Sequence, residues 1–324
     1  MTHFVSICTP TFNRRHFIET LVFVIKHQTY PHCLMEWLIA DDGTDPIEDL
    51  IKNITFIKVN YFRLESQQSL GFKRNFLNKK ATGDIIVYFD DDDYYPPNRI
   101  SNGIKLLNEN PSYKIAGSSM MYIYYHHTNE IYSCGPYGEN HATAATFIFK
   151  KELLDETHFD NYSLISEEKY FLKNYTIPMI QLESLNTILV IAHEQNTFDK
   201  KKLLINPDNF KIIKTDLKLN HFISNTLVGI NLIKFYQTDL HICLEKYKLG
   251  TIDKKKDISN FITEIENTRQ KKKDNLEIYK KNTTSDEKTN KNYEEKLKQK
   301  SILIQKLLLK VKSLKEEINL LKIL

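Results

Sequence analysis

Four consecutive aspartates, Asp90–Asp93, follow directly on the apolar run Ile85–Phe89 and stand just before Pro96 and Pro97. Four neighbouring carboxylates repel one another, and clustered carboxylate oxygens are the ligands that a hard cation such as Mg²⁺ or Mn²⁺ prefers. The alternative interpretation is a solvated acidic turn. Because the carboxylates stand directly behind a hydrophobic segment, we favour a cation site at this position.

The elements that must position these aspartates can be predicted from the pattern around them. Ile85–Phe89 is rich in β-branched and aromatic residues and is predicted to be a buried strand, which the prolines end near the aspartates. The alternation of elements predicts an α/β fold with a doubly wound, mostly parallel sheet. The other predicted elements in this part of the chain are strands at 4–8, 37–40 and 56–61 and helices at 15–28 and 71–81.

Polar turns follow three of these predicted strands. They are Thr9–Thr11, Asp41–Gly43 and the aspartate cluster. Ligands of open α/β sheets bind beyond the carboxyl ends of the strands, so the three turns are expected to converge on one binding crevice.

Four segments in this order resemble the GT-A glycosyltransferases, and family 2 within them. The segments are Val5–Arg14, Asp41–Thr44, Gly71–Asn75 and Tyr88–Pro97. The resemblance covers about residues 3–200. It implies a GT-A fold and a metal-dependent, inverting transfer of a sugar from a nucleotide-sugar donor to an acceptor hydroxyl.

The same resemblance implies where the donor nucleotide is bound. An aspartate after the second strand would contact the base, usually uracil, so a UDP-linked donor is expected. Lys73 and Arg74 are candidate donors to phosphate or base, although they could equally lie on an exposed helix face. The donor-binding candidates are Thr9, Pro10, Thr11, Asn13, Arg14, Asp41, Asp42, Lys73, Arg74, Asn75, Asp90 and Asp91.

The metal, Mn²⁺ or Mg²⁺, is expected at the aspartate cluster. Registering the segment on its proline pair makes Asp90 and Asp92 the two aspartates of the family's metal motif, with Asp93 orienting them. His193 follows an apolar run and resembles the histidine that completes the metal site in some GT-A enzymes. A lone histidine is also often structural, and that alternative stays open.

Glu167 and Glu168 resemble the acid pair that begins a helix in this family, the second acid being the one that deprotonates the acceptor. That assignment favours Glu168 as the catalytic base, with Glu167 as the alternative, since a Glu here replaces the usual Asp. The acids could instead serve a helix N-terminus that Ser166 caps.

The sequence argues against two rival functions. A sugar-nucleotide nucleotidyltransferase would need a Gly-rich phosphate loop near the N-terminus, whereas residues 9–13 contain no glycine. A catalytically degenerate GT-A domain that acts as a coiled-coil interaction module is the non-enzymatic alternative. The intact acids argue against it, because an idle fold need not keep four crowded carboxylates.

The sequence predicts three regions: a catalytic domain at 1–205, a helical extension with a Lys-rich connector at 206–289, and a coiled coil at 290–324. A heptad pattern with β-branched residues at a and Leu at d favours a parallel two-stranded coiled coil, and hence a homodimer. An amphipathic helix that folds back on the body is the alternative. The heptad residues are Leu297, Ile304, Leu307, Val311, Leu314, Ile318 and Leu321.

Composition excludes several other classes. The net charge of +4 arises from residues 251–324, so the body is not expected to bind nucleic acid. No signal peptide or membrane span is seen, and a cytoplasmic protein is expected. The acceptor, whether glycan, protein or lipid, is unknown; the tyrosine-rich loops around residues 118–145 could stack on sugar faces or form a strand pair packed on the core.

Overall fold

The computed structural model describes residues 2–205, 211–224 and 226–247, together with the single positions 263, 271 and 300. The predicted coiled coil and nearly all of the predicted connector lie outside the described residues. The strands are β1 Val5–Thr11, β2 Met35–Asp41, β3 Lys58–Arg63, β4 Ile85–Tyr88, β5 Ile115–Gly117, β6 Met121–Tyr125, β7 Glu130–Cys134, β8 Ile148–Lys150, β9 Ile180–Gln181, β10 Leu189–Ala192 and β11 Ile212–Lys214. The helices are α1 Arg15–Lys26, α2 Glu48–Ile51, α3 Leu70–Lys80, α4 Arg99–Glu109, α5 Glu168–Phe171, α6 Lys202–Ile205, α7 Leu227–Lys234 and α8 Leu240–Lys246.

Within the described residues, seven strands form the main sheet in the order β3-β2-β1-β4-β8-β5-β9. The first four of these strands are mutually parallel, and β8 runs antiparallel to both of its neighbours. This mixed, mostly parallel α/β sheet confirms the predicted fold class. The strands and helices predicted up to residue 89 are all present, with boundaries that differ by at most three residues.

The sheet is covered on both faces, as an α/β sheet with alternating side chains requires. Val5 and Ile7 of β1 pack in the core cluster that contains Phe17 and Ile18 of α1. Cys8 packs in the opposite cluster with Leu77 of α3. The two helices therefore hold β1 in the centre of the domain and fix the turn that follows it.

Pro10 lies inside β1, whereas the sequence predicted a strand at 4–8 followed by a turn at Thr9–Thr11. β4 pairs with β1 only as far as Cys8, which lies opposite Tyr88, while β2 continues to pair with β1 as far as Thr11. The Cys8 carbonyl accepts from Phe89 on the β4 side, so the nitrogen of Pro10, two residues on, faces the side where β4 has ended. The missing N–H therefore costs no ladder hydrogen bond.

A second sheet, of four strands among the described residues, has the order β10-β6-β7-β11. Tyr124 and Tyr125 of β6 are buried, and Tyr122 and Tyr132 are half-buried. These four tyrosines thus belong to a strand pair packed on the core. At its carboxyl end β10 leads directly into His193, which brings this second sheet to the aspartate cluster.

Candidate active site

A cleft lies at the carboxyl ends of β1 and β4, where the sequence predicted a crevice. It is closed on one side by the segment after β10 and on another by the residues that precede α3. Its lining residues are Pro10, Thr11, Phe12, Arg14, Gln67, Gln68, Leu70, Lys73, Asp90, Asp91, Asp92, Leu164, Gln195, Asn196 and Thr197.

Asp92 is held by two partners from the segment after β10. Its Oδ2 lies 3.1 Å from His193 Nε2 and accepts a hydrogen bond of 3.1 Å from Asn196 Nδ2. Burial would raise the pKa of this carboxyl, but the His193 hydrogen bond and the Arg14 guanidinium outweigh burial and lower the pKa well below its usual range. Asp92 is therefore a fixed, ionised carboxylate in the cleft.

His193 is a buried, neutral imidazole. Burial lowers its pKa to about 4, even though the Asp92 carboxylate opposes the shift. Its Nδ1 accepts from the Gln195 backbone N–H at 3.2 Å, which assigns the ring proton to Nε2, the atom that faces Asp92. In this arrangement His193 orients Asp92, and its predicted role as a metal ligand stays a prediction.

Arg14 places a cation between two of the aspartates. Its Nε lies 3.6 Å from both Asp91 Oδ1 and Asp92 Oδ2, and its Nη2 donates to the Gln195 carbonyl. Burial and the charge of Asp92 raise the pKa of Asp91 to about 7, with Arg14 opposing them. Arg14 thus offsets part of the repulsion that the sequence led us to expect.

Asp93 points away from the other three aspartates toward the second sheet. Its Oδ1 accepts from the Ile191 backbone N–H at 2.9 Å. Burial, followed by the charge of Asp92, raises the pKa of Asp93 well above its usual value. This bond joins the aspartate cluster to β10, and the expected role of Asp93 in orienting Asp90 and Asp92 stays a prediction.

Arg74 connects Asp90 with the acid pair. Its Nε donates to Glu167 Oε1 at 2.8 Å, its Nη2 lies 3.2 Å from Asp90 Oδ1, and its guanidinium stacks 4.5 Å from the centre of the Tyr88 ring. The side chain is buried, so the alternative of an exposed helix face does not hold for Arg74. Asp90 and Glu167 keep this guanidinium firmly charged against the cost of burial.

Glu168 begins α5, and Glu167 occupies the N-cap position without a capping hydrogen bond from its side chain. Ser166 therefore does not cap this helix. Whereas Glu167 is ion-paired with Arg74, Glu168 is half-buried and has no such partner in the part of the chain that the structure describes. Burial and the neighbouring Glu167 charge raise the pKa of Glu168 to about 8. A carboxyl with such a pKa is well matched to taking up a proton near neutral pH.

The turn after β2 is fixed by its own aspartates. Asp41 is fully buried, and its carboxylate accepts from the backbone of Gly43 and Ile47 and from the Tyr61 hydroxyl. Asp42 accepts from Lys73 Nζ at 2.8 Å and from the Gln68 backbone N–H at 2.6 Å. Asp42, Lys73 and Gln68 therefore form one unit at the rim of the cleft.

Asn13 and Asn75 hold backbone segments in place around the cleft. Asn13 Oδ1 accepts from the backbone N–H groups of Thr44 and Asp45, and so joins the turns after β1 and β2. Asn75 bonds both the N–H and the carbonyl of Phe159. Through Asn75, α3 positions the loop that leads to the acid pair.

The donor set at the aspartate cluster is compatible with a hard divalent cation. Within the described residues, Asp90 Oδ1 is buried and receives no hydrogen bond; its one charged neighbour there is Arg74 Nη2 at 3.2 Å, so it keeps coordination capacity next to ionised Asp92. Among residues 2–205, 211–224 and 226–247, however, no three acidic, histidine or cysteine side chains already surround one metal position. Asp90 and Asp92 are the residues that would hold the ion.

The cleft residues that were not predicted from the sequence include Gln68, Gln195 and Asn196. Each contacts an expected site residue, Asp42, Arg14 and Asp92 respectively. The polar run His193–Asn196, placed directly after an apolar strand, is the sequence signal that could have identified the last two. Gln68 contacts Asp42 through its backbone N–H, so the identity of the residue does not indicate this contact.

The fold and the carboxylate-lined cleft at the strand ends define a GT-A type domain. Residues 6–160 match the family model described as Glycosyl transferase family 2. The match confirms the resemblance drawn from the sequence.

Individual relatives are glycosyltransferases by name. The abequosyltransferase RfbV of Salmonella typhimurium (strain LT2) is 26% identical over 299 residues, covering 81% of this chain and 89% of its own length. TuaG of Bacillus subtilis (strain 168), named as a teichuronic acid biosynthesis glycosyltransferase, is 27% identical over 121 residues, which cover 36% of this chain and 47% of TuaG. An uncharacterised glycosyltransferase of Haemophilus influenzae is matched over 36% of its length, so this chain spans less than half of two of these curated relatives.

Among solved structures, the mannosyltransferase PcManGT of Pyrobaculum calidifontis, in complex with GDP-Man and Mn²⁺, superposes with a TM-score of 0.50. The two chains are 13% identical, and the match covers 82% of this chain and 81% of PcManGT. At this identity the likeness concerns the fold. In the described part of the present chain, no helix is both long and apolar enough to cross a membrane.

Proposed function

We propose that this protein is a metal-dependent, inverting glycosyltransferase that moves a sugar from a UDP-linked donor to an acceptor hydroxyl. The observation that carries the proposal is the connection between the two halves of the site. Arg74 contacts both Asp90 of the aspartate cluster and Glu167 of the acid pair. One rigid unit thus holds the groups that would meet the leaving diphosphate and the attacking hydroxyl.

The aspartate side of the site would hold the metal and the diphosphate. Asp90 and Asp92 are the proposed ligands, and a bound divalent metal would stabilise the negative charge that builds on the departing nucleoside diphosphate. Arg14 and Lys73 line the same cleft and supply cationic side chains there. Both are buried and paired with aspartates, so they are held in place before any donor binds.

The acid pair would supply the base. We assign this role to Glu168, because Glu167 is occupied by the Arg74 ion pair and Glu168 has the raised pKa. The negative charge of Glu167 strengthens Glu168 as a proton acceptor. When the base lies opposite the leaving group, the reaction is a single displacement at the anomeric carbon. Such a displacement inverts the configuration of that carbon.

The donor base would be read at the rim that Asp42, Lys73 and Gln68 form. Asp42 is the better candidate of the two aspartates, since the Asp41 carboxylate is enclosed by the turn and by Tyr61. The alternative of a degenerate interaction module is not favoured. The Arg74 guanidinium is buried between two acidic groups, and burying such charges is costly in free energy. A domain without catalytic function is not expected to keep this arrangement.

Calorimetry with UDP, GDP and CDP in the presence of Mn²⁺, followed by a hydrolysis screen of nucleotide sugars, tests the proposal. We expect Mn²⁺-dependent binding with UDP preferred and hydrolysis of at least one UDP-sugar. A clear preference for GDP would overturn the donor assignment and leave the reaction class intact. An absence of binding by all three nucleotides would overturn the enzymatic proposal.

A further inference from the structure

Three aromatic rings form a row beside the acid pair. The ring centres of Tyr137 and His141 lie 4.9 Å apart, and those of His141 and Tyr175 are also 4.9 Å apart. All three side chains are half-buried, so each ring is supported by the protein and keeps part of its surface open. The row joins the loop after β7 to the segment after α5.

One end of the row lies close to Glu168. Tyr175 follows α5, the helix that Glu168 begins, and its ring packs on the cluster of buried residues that contains Phe171. Tyr175 lies on a turn that the hydrogen bond from Asn174 N to the carbonyl of Lys169, the residue after Glu168, holds against α5, and burial followed by the Glu168 charge raises the pKa of Tyr175 to about 12. The proposed base and the aromatic row are therefore neighbours.

The backbone that carries Tyr175 is held in a conformation that is unusual for its residues. Lys173, Asn174 and Tyr175 have φ values of 48°, 56° and 64°, three consecutive non-glycine residues in the left-handed region. A single such residue is uncommon, and strain of this kind concentrates at binding and catalytic sites. Hydrogen bonds from Lys173 N to Tyr170 O and from Asn174 N to Lys169 O hold this turn against α5.

The other end of the row opens into a cavity of about 430 Å³. Tyr137 lines it together with the polar side chains of Ser119, Gln181, Glu139 and Lys211. A volume of a few hundred Å³ with one aromatic wall and a few polar groups is typical of a small-molecule site. The row thus connects a site of this kind with the proposed catalytic base.

We propose that Tyr137, His141 and Tyr175 form the acceptor subsite, and that the acceptor group bound there is a pyranose of a saccharide. This inference rests on the proposed glycosyltransferase function. A pyranose has an apolar face of C–H groups that packs on an aromatic ring, and a rim of hydroxyls that Glu139 and Lys211 can bind. Tyr175 then sets the position of the acceptor hydroxyl relative to Glu168.

The transfer balances at this subsite. The acceptor hydroxyl gives its proton to the Glu168 carboxylate, and its oxygen forms a bond to the anomeric carbon of the donor. The bond between that carbon and the diphosphate oxygen breaks, and the nucleoside diphosphate leaves with the electron pair. No oxidant, reductant or further reactant is needed.

Saturation-transfer NMR tests the subsite with the full chain, UDP, Mg²⁺ and a panel of methyl pyranosides of glucose, galactose and N-acetylglucosamine. We expect at least one pyranoside to receive saturation from the protein, and Tyr175→Leu to weaken its binding about tenfold, the equivalent of about 1.4 kcal/mol. Tyr162→Leu is the matched control, since Tyr162 lies on the loop before α5 and is 88% exposed. It should bind the pyranoside as the wild type does.

The subsite is overturned if no pyranoside binds, or if Tyr175→Leu and Tyr162→Leu bind it equally. Should Tyr175→Leu fail to fold, His141→Leu replaces it with the same expectation. UDP binding to each sample is measured in parallel by thermal shift. If UDP causes no thermal shift in the wild type, the proposed function is overturned. If UDP does cause a shift but no pyranoside binds, only the acceptor subsite is overturned.

Discussion

Arg74 Nε donates a hydrogen bond of 2.8 Å to Glu167 Oε1. The same guanidinium reaches Asp90, although these two acids are separated in the sequence by more than seventy residues. Both Arg74 and Glu167 are buried, so the pair cannot be a surface ion bridge of little consequence. The Arg74–Glu167 ion pair fixes Glu167 in place, and Glu168 is left as the acid proposed to take up the proton.

Glu168→Gln should therefore cut sugar transfer by about 10²-fold or more, which is the usual contribution of a positioned base. Nucleotide binding should persist, because the amide keeps the shape of the carboxyl. Steady-state transfer rates together with calorimetry of UDP separate the two effects. Glu167→Gln is the matched comparison. If it showed the transfer defect while Glu168→Gln did not, the two acids would have to exchange roles.

The pH dependence of the wild type gives a second view of the same residue. Burial and the Glu167 charge raise the pKa of Glu168 to about 8, so the base is mostly protonated at pH 6 and becomes ionised as the pH rises. We expect kcat/KM to increase from pH 6 and to level off above pH 8. The Glu168→Gln variant should lack this limb, and a profile that stays flat over this range in the wild type would contradict the assignment.

Asp92→Ala should abolish metal-dependent turnover and leave the fold intact. The substitution removes the acceptor of the His193 and Asn196 bonds, but it also relieves Asp91 and Asp93, whose pKa values the Asp92 charge helps to raise. Hydrolysis of a UDP-sugar over a Mn²⁺ titration measures the first effect, and thermal unfolding measures the second. Normal turnover in a well-folded Asp92→Ala protein would exclude Asp92 as a metal ligand.

The sequence predicted the elements of the first 90 residues well, because their signals are local. Ile85–Tyr88 forms a strand and residues 15–26 form a helix. Both can be recognised from the pattern of apolar residues within the segment itself. The partners of the polar residues could not be obtained in this way. Asp41 is enclosed by Tyr61, and Arg74 is joined to Glu167, through contacts that exist only once the sheet has formed.

Gly71 is a position where a contact with a distant part of the sequence leaves no room for a side chain. A Cβ at this position would lie 2.0 Å from the carbonyl oxygen of Asp160, in the loop before the acid pair. Gly71→Ala should therefore displace that loop and destabilise the protein by about 1–3 kcal/mol, the usual range for overpacking. Gly138→Ala is the control, since a Cβ there meets only His141 at an ordinary 3.9 Å. Denaturant unfolding of both variants compares them, and equal stability would contradict the close packing.

Removal of residues 290–324 should give a monomer that still hydrolyses the donor. Ile304, Val311 and Ile318 alternate with leucines at heptad spacing, and such a seam exposed to water would favour association with a second copy. The residues assigned to the chemistry all lie before residue 200. Sedimentation of the full-length and shortened chains, with hydrolysis of a UDP-sugar measured on both, tests the two parts of the prediction. A full-length chain that sediments as a monomer would exclude the dimer, and unfolding of the shortened chain would favour a helix that packs on the body instead.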